Sequence, residues 1–270
     1  MPTYRRVSEA ELSRFTDQAL RAAGVPAENA AIVADNLVQG ELHGHGSHGP
    51  SRLLPIYIKR FQAGGVNPDP KITIVQQSKS AAVVDGDNGP GAVVGRYAMR
   101  LAIDLAREHG SGWVTARRST HYGAAFLFAR EALTEGMIGF STTAAVAQVA
   151  PFGGRERALG TNPLCIAVPG GERGPIILDM ATSVVARGKV QLAALEGKPI
   201  PQGWALDAEG RPTTDPVAAS KGSMLPLGGY KGYGLALMVE ILSSVLSGAL
   251  VGKQIGEMFS GLETPQGLGH

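Results

Sequence analysis

Cysteine is almost absent from the 270-residue chain, Cys165 being the single one. A disulfide framework and a thiolate metal centre are thereby excluded. The neighbours of Cys165 in "PLCIAVP" are apolar and of strand type, so it reads as a small buried hydrophobe in a reducing compartment. Charge is also sparse, at 18%, and the net +2 is dispersed rather than striped. Nucleic acid is therefore not an expected partner. No apolar run reaches the roughly 18 residues that cross a bilayer. The start, "MPTYRRVSEAELSRF", has no apolar core of an export signal. The expectation is a cytoplasmic globular protein long enough to bury a substantial core.

What is plentiful is glycine, with 37 residues falling between periodic segments as turn markers. Ser8 and Glu11 stand at capping-box spacing before Leu12, Phe15 and Ala19, and Gly24 ends that helix. A second helix follows Pro26 up to about Leu42. A third carries Leu53, Tyr57 and Phe61; it opens at Pro50, or nearer Leu53 because of Pro55, and closes at Gly64-Gly65. Residues 1–70 thus form an N-terminal helical segment. From 71 to about 250 short β-type runs ("ITIV", "AAVV", "GWVTA", "MIGFSTT", "LCIAVP", "PIILDM") alternate with helices, among them Val93–Glu108 and "AAFLFAREALTEG". This is an α/β body. The stretch "YGLALMVEILSSVLSGAL" has helical period and one charge, Glu240, which predicts a core helix buried on most faces. Residues 251–270 make a short C-terminal segment.

The densest chemistry lies in "HGHGSHGPSR", residues 43–52. Three histidines suggest zinc, but no carboxylate stands between them and the flanking glycines would leave a metal poorly ordered. A solvated glycine-rich helix end is a second reading. The third pairs His48 with Arg52, four residues apart near a helix start opened by Pro50. An imidazole donates a proton near neutral pH and a guanidinium grips a carboxylate through two bonds, which suits reduction of a 2-oxo acid. A different lure is "GPGAVVG" at 89–95, which mimics a dinucleotide fingerprint. Its spacing is a variant and no acid ends the next strand, so these glycines are read as opening a helix.

Five segments, "SHGPSRLLPIY", "RRSTHYGAA", "LGTNPLCIAVP", "ILDMATSVVARGKV" and "LPLGGYKGYGLALMVEIL", occur in order with characteristic separations. In these the chain resembles the malate/L-lactate dehydrogenase family, which also contains ureidoglycolate, sulfolactate and 2,3-diketogulonate dehydrogenases and piperideine-2-carboxylate reductases. The resemblance runs from about residue 8 to residue 252. It implies a non-Rossmann, sulfolactate-dehydrogenase-like α/β fold, with an N-terminal helical segment and a mixed, largely antiparallel sheet flanked by helices. It also implies NAD or NADP as cofactor and an obligate homodimer. The implied reaction interconverts a small, malate- or lactate-like 2-hydroxy acid and its 2-oxo acid by hydride transfer, or reduces a cyclic imino acid (piperideine- or pyrroline-2-carboxylate) with NADPH.

Carried over by motif, His48 is implied as general acid/base, Arg52 as carboxylate clamp, Ser47 as a substrate contact or orienting group, and Asp179 as the carboxylate that orients His48. His121 is implied to line the pocket of substrate and nicotinamide. Thr161, Asn162 and Pro163 are implied on the nicotinamide side, together with the strand-end group Asp179, Met180, Ala181, Thr182 and Ser183. Tyr230 and Lys231, at a glycine-rich helix start, are implied near a phosphate. The resemblance also implies some tens of further residues beyond "PQGLGH", so the sequence is either an incomplete chain or that of a truncated, inactive member.

Overall fold

The structure is a computed structural model that describes residues 6–270, with the side chains of Arg52 and Leu53 outside the described set. Ser8 Oγ accepts from the Glu11 amide at 3.3 Å while Glu11 Oε2 accepts from the Ser8 amide at 3.1 Å, the reciprocal cap that opens α1 (Glu9–Ala22). After α2 (Ala27–Leu42) a short 3₁₀ turn, Gly46–His48, leads into α3 (Pro50–Gln62). Pro50 occupies the first helical positions, where a missing N–H costs nothing, and Pro55 is tolerated inside the helix instead of delaying it. The three helices bury Leu20, Val33, Leu37, Leu54 and Phe61 in one cluster that continues onto Ala92 and Val93.

β1 (Thr73–Gln77) pairs antiparallel with β2 (Ala81–Gly89). α4 (Gly91–His109) then crosses to β3 (Trp113–Ser119), parallel to β2, and the left-handed Gly110 stops the helix. The helix expected over "AAFLFAREALTEG" is split into α5 (Phe126–Ala129), every residue of which is buried, and a 3₁₀ continuation over Arg130–Glu135. β4 (Gly139–Thr142), β5 (Leu164–Val168) and β6 (Ile176–Met180) form an antiparallel sheet. Next come α6 (Arg187–Glu196), β7 (Ala205–Leu206), β8 (Pro212–Thr213), α7 (Pro216–Lys221) and β9 (Ser223–Met224), whose short strands make a third small sheet in the order β8-β7-β9. The mixed, largely antiparallel arrangement is therefore distributed over three sheets.

The apolar stretch near the C-terminus forms α8 (Tyr230–Glu240) and a π-helical turn, Ile241–Val245. Burial on most faces does not hold. Apart from Val239 its buried residues are small or polar (Gly232, Ala236, Glu240, Ser243, Ser244), while Leu235, Met238, Val245 and Leu246 are exposed. Hydrophobic content alone did not reveal which face turns inward.

The last residues lie alongside β3: Ser119 and Leu268 exchange both backbone hydrogen bonds, and Ala116 and His270 do the same. The His270 ring stacks on Tyr122 at 4.6 Å and meets Ser119 Oγ through Nε2 at 2.6 Å and Thr143 Oγ1 through Nδ1 at 2.9 Å. Burial holds its imidazole neutral, lowering its pKa from 6.5 to about 3. The unfolded chain thus takes up a proton below the higher value that the folded chain refuses until the lower one. Stability from this site is full above pH 6.5 and drains away as pH falls towards 3. Thermal melts from pH 7 down to 4 should show a falling Tm, and His270→Asn should flatten that slope while lowering Tm at pH 7; an unchanged slope contradicts the assignment.

Candidate active site

The histidine loop is folded by its glycines. Gly44 takes a left-handed φ of +81°, and a side chain at Gly49 would collide with the Glu41 carboxylate that lies beneath the turn. His43 and His45 lean on the Phe126 ring, at 4.9 and 5.4 Å between centroids. Among the described residues no three His, Cys, Asp or Glu side chains gather as a metal site. His48 turns the other way. Its Nδ1 lies 2.9 Å from Ser47 Oγ, and its ring stacks on His121 at 5.6 Å with the planes 16° apart.

His121 arrives from the loop after β3 and is held on two sides. The Tyr57 hydroxyl meets its Nδ1 at 2.7 Å, and its backbone N–H donates to Gln266 Oε1 at 3.0 Å. Desolvation raises the Tyr57 pKa far above the ordinary phenol value, so Tyr57 remains a hydroxyl at working pH. Arg52 falls on the first turn of α3, and its side chain lies outside the described residues.

Ser47, His48 and His121 line a cavity of about 170 Å³. Thr161 and Pro163 contribute to another part of its wall, and Gln148, Arg187 and Gln266 also face it. Two buried amide nitrogens in this lining, Gln148 Nε2 and Gln266 Nε2, have no acceptor among the described residues. Because the His121 amide fixes Gln266 Oε1 as the acceptor, Gln266 Nε2 is oriented as a donor wanting an oxygen. An orphaned donor beside two imidazoles fits the carboxamide of a nicotinamide or the oxygens of an oxo acid. None of Tyr57, Gln148, Arg187 or Gln266 was singled out in the sequence. Tyr57 sits inside a motif segment yet looks like a helix-periodic core residue, and the others carry no local signal.

Other expected site residues hold the wall up from behind. Asn162 is fully buried at a left-handed φ of 29°; its Nδ2 donates to Ala236 O at 3.0 Å and Glu240 Oε2 at 2.7 Å, and its Oδ1 accepts from the Ala145 amide at 3.0 Å. Thr182 Oγ1 donates to the carbonyls of Thr161 and Asn162, and Ser183 Oγ to that of Val185. These three side chains are spent on protein partners. Met180 and Ala181 are half-buried at the end of β6, and Tyr230 and Lys231 are exposed at the start of α8; none of the four lines the cavity.

Asp179 requires a correction. Paired with Cys165 across β5 and β6, it accepts from the Phe126 amide at 3.0 Å, and the imidazole that favours its ionised form is that of His45, not His48. Burial outweighs both and raises its pKa above the usual carboxylate value. Burial likewise pushes the neighbouring Cys165 thiol up to about 12.

The glycines of the fingerprint-like segment have a packing role. A Cβ at Gly91 would strike the Thr120 carbonyl and the His121 backbone, and the Gly91 amide donates to Thr120 Oγ1 at 3.0 Å. Gly91→Ala should therefore push the His121 loop away from α4, lowering stability by about 1–3 kcal/mol and turnover by more than tenfold. Wild-type turnover in a folded variant would refute this coupling of α4 to His121.

The sequence profile of the malate/L-lactate dehydrogenase family matches residues 7–270. A malate dehydrogenase from Pyrococcus horikoshii is 48% identical over 260 residues, covering 93% of this chain and 72% of that protein. A ureidoglycolate dehydrogenase (NAD(+)) from Escherichia coli is 38% identical over 264 residues, 98% of this chain and 75% of that one. The solved structure of sulfolactate dehydrogenase from Methanocaldococcus jannaschii superposes with a TM-score of 0.90 at 42% identity, over 97% of this chain and 75% of that chain. The chain belongs to the malate/L-lactate dehydrogenase family.

Proposed function

We propose that the chain is an NAD(P)-dependent oxidoreductase that interconverts a small 2-hydroxy acid and its 2-oxo acid. The observation that carries this reading is the pair of stacked imidazoles, His48 and His121, lining one small cavity with each Nδ1 held by a hydroxyl. When bound, the nicotinamide dinucleotide supplies the hydride in reduction and takes it up in oxidation. His121, Thr161 and Pro163, with the donor on Gln266, would hold its reacting end.

Ser47 engages His48 Nδ1 and so assigns proton exchange with the substrate oxygen to Nε2. Tyr57 keeps His121 in register, and Arg52, one turn along from His48, grips the substrate carboxylate. The helical segment 1–70 thus supplies acid and clamp, 71–250 supplies the cofactor side, and 251–270 closes the cavity through Gln266. Asp179 acts at one remove, by fixing the start of α5 against which His45 rests.

The reading is tested by following nicotinamide absorbance with a panel of 2-oxo acids and both dinucleotides. His48→Ala should lower kcat by at least 100-fold with little change in KM, whereas Arg52→Ala should raise KM for the oxo acid at least tenfold. Variants with wild-type constants would remove the acid and the clamp from the proposal.

A homodimer completes the reading, supported by the apolar outer face of α8 and its π turn, where Leu235, Met238, Val245 and Leu246 are exposed. We also place the enzyme in the cytoplasm, where a free thiol such as Cys165 is kept reduced. Met238→Lys combined with Val245→Glu should convert a dimer to a monomer in sedimentation equilibrium; an unchanged mass moves the interface elsewhere.

A further inference from the structure

Arg60 of α3 is the largest fully buried side chain among the described residues, at 1% exposure, and the reaction as drawn so far makes no use of it. Taking a guanidinium out of water is unfavourable, and a bonded carboxylate is the usual compensation. Among the described residues the acceptors of Arg60 are all backbone carbonyls instead. Nη1 donates to Glu257 O at 3.0 Å, and Nη2 donates to Thr264 O at 2.7 Å and, more weakly, to Gly65 O at 3.5 Å. Burial lowers its pKa and the charge of Glu263 opposes that shift. A guanidinium stays charged all the same.

The two shorter bonds bracket one loop. Residues 257–266 leave and return at a pinch where the Gly256 amide donates to Gln266 O at 2.9 Å. Glu257, Met258 and Phe259 at one end of this loop and Gln266 at the other face the 170 Å³ cavity. A planar fork can hold both sides of a loop at once, whereas an ammonium on a flexible stem acts as a point charge. Gly65 brings the chain after α3 against the same loop, since a Cβ there would strike the Leu262 carbonyl.

Arg60 stands one turn after Tyr57 on the same side of α3. Tyr57 holds the His121 ring through Nδ1, and the His121 amide donates to Gln266 Oε1. The bonds therefore close a circuit that runs from α3 through Tyr57 to His121, on to Gln266, and back along the loop through Arg60. Tyr57, Arg60, His121 and Gln266 surround a space of only about 10 Å³, room for one water at most. No substrate enters it. An apolar side chain would fill the volume of Arg60 without a buried charge. What calls for the fork is that Gln266 must present Oε1 to His121 while its Nε2 serves the cavity.

We propose that Arg60 is a positioning residue for hydride transfer: by clamping both sides of the 257–266 loop it fixes the Gln266 amide between His121 and the cavity. The inference rests on the dehydrogenase reading and deepens it, because the group so placed is the donor at the nicotinamide end and not the carboxylate clamp.

The test uses Arg60→Lys, which keeps the charge and loses the fork, and Arg60→Met, which keeps neither, each assayed well below its own Tm. Both should lower kcat about tenfold and raise the KM of the dinucleotide about fivefold, with the KM of the oxo acid within about twofold of wild type. Added to Gln266→Leu, Arg60→Lys should remove no further activity, because the two act in series. Wild-type constants in Arg60→Lys, equal rises in both KM values, or losses that multiply in the double variant overturn the proposal. Amide hydrogen exchange reads the circuit without turnover. Exchange at His121 and across 256–266 should quicken about tenfold in Arg60→Lys while β5 keeps its rates. If the wild type reduces no 2-oxo acid, the dehydrogenase reading fails and exchange alone decides. Acceleration confined to His121 and 256–266 then sustains the clamp; unchanged exchange, or acceleration throughout the protein, sinks it.

Discussion

Two imidazoles lying face to face, one on the loop between α2 and α3 and the other on the loop after β3, are the constraint around which the site is organised. The first ring is held from within its own turn, where the adjacent Ser47 meets its Nδ1, but the second is held from outside its loop: Tyr57 fixes it through Nδ1 and Gln266 fixes its backbone. The supports of His121 come from α3 and from the C-terminal segment, so the stacked geometry forms only when distant stretches of chain have packed. A loop with strong local order would need no such bracing.

The bracing depends on close approach as much as on hydrogen bonds. Gly49 lets the histidine turn rest on Glu41, and Gly91 lets the start of α4 touch the backbone of Thr120 and His121. The remaining contact is aromatic: His43 and His45 settle on Phe126, whose amide is fixed in turn by Asp179. The histidines that look most like metal ligands in the sequence serve instead to seat the loop that delivers His48. A carboxylate raised in pKa by burial, as Asp179 is, is tolerable here because a backbone N–H and an imidazole share its charge.

Local signals read well from the sequence where local physics decides the outcome. The Ser8–Glu11 cap and the Gly24 stop are short-range devices, and the fold uses both. The His48 side of the site was legible because its residues are adjacent in the chain. Gln148, Arg187 and Gln266 were not, since a glutamine or arginine acquires meaning at this site only through the cavity that assembles around it. The "GTNP" turn shows the limit from the other side: Thr161 and Pro163 reach the cavity, but Asn162 between them turns inward to protein partners. A left-handed residue in a tight turn alternates direction in a way that no spacing rule reports.

α8 misled for a related reason, and its inversion ties the outer surface to the site. Its inward carboxylate, Glu240, accepts from Asn162 Nδ2 at 2.7 Å and from the Gly252 amide at 2.7 Å. Burial raises the pKa of this carboxyl, and those two hydrogen bonds act in the opposite sense. The small residues Gly232, Ala236 and Ser243 let the helix sit close enough for the bonds to form, which forces the large apolar side chains outward. The Asn162 turn that presents Thr161 and Pro163 to the cavity is therefore anchored on the inner face of the same helix whose outer face is apolar. That outer face and the Thr161 and Pro163 wall of the cavity are therefore joined by one strut, the inner face of α8 with Asn162.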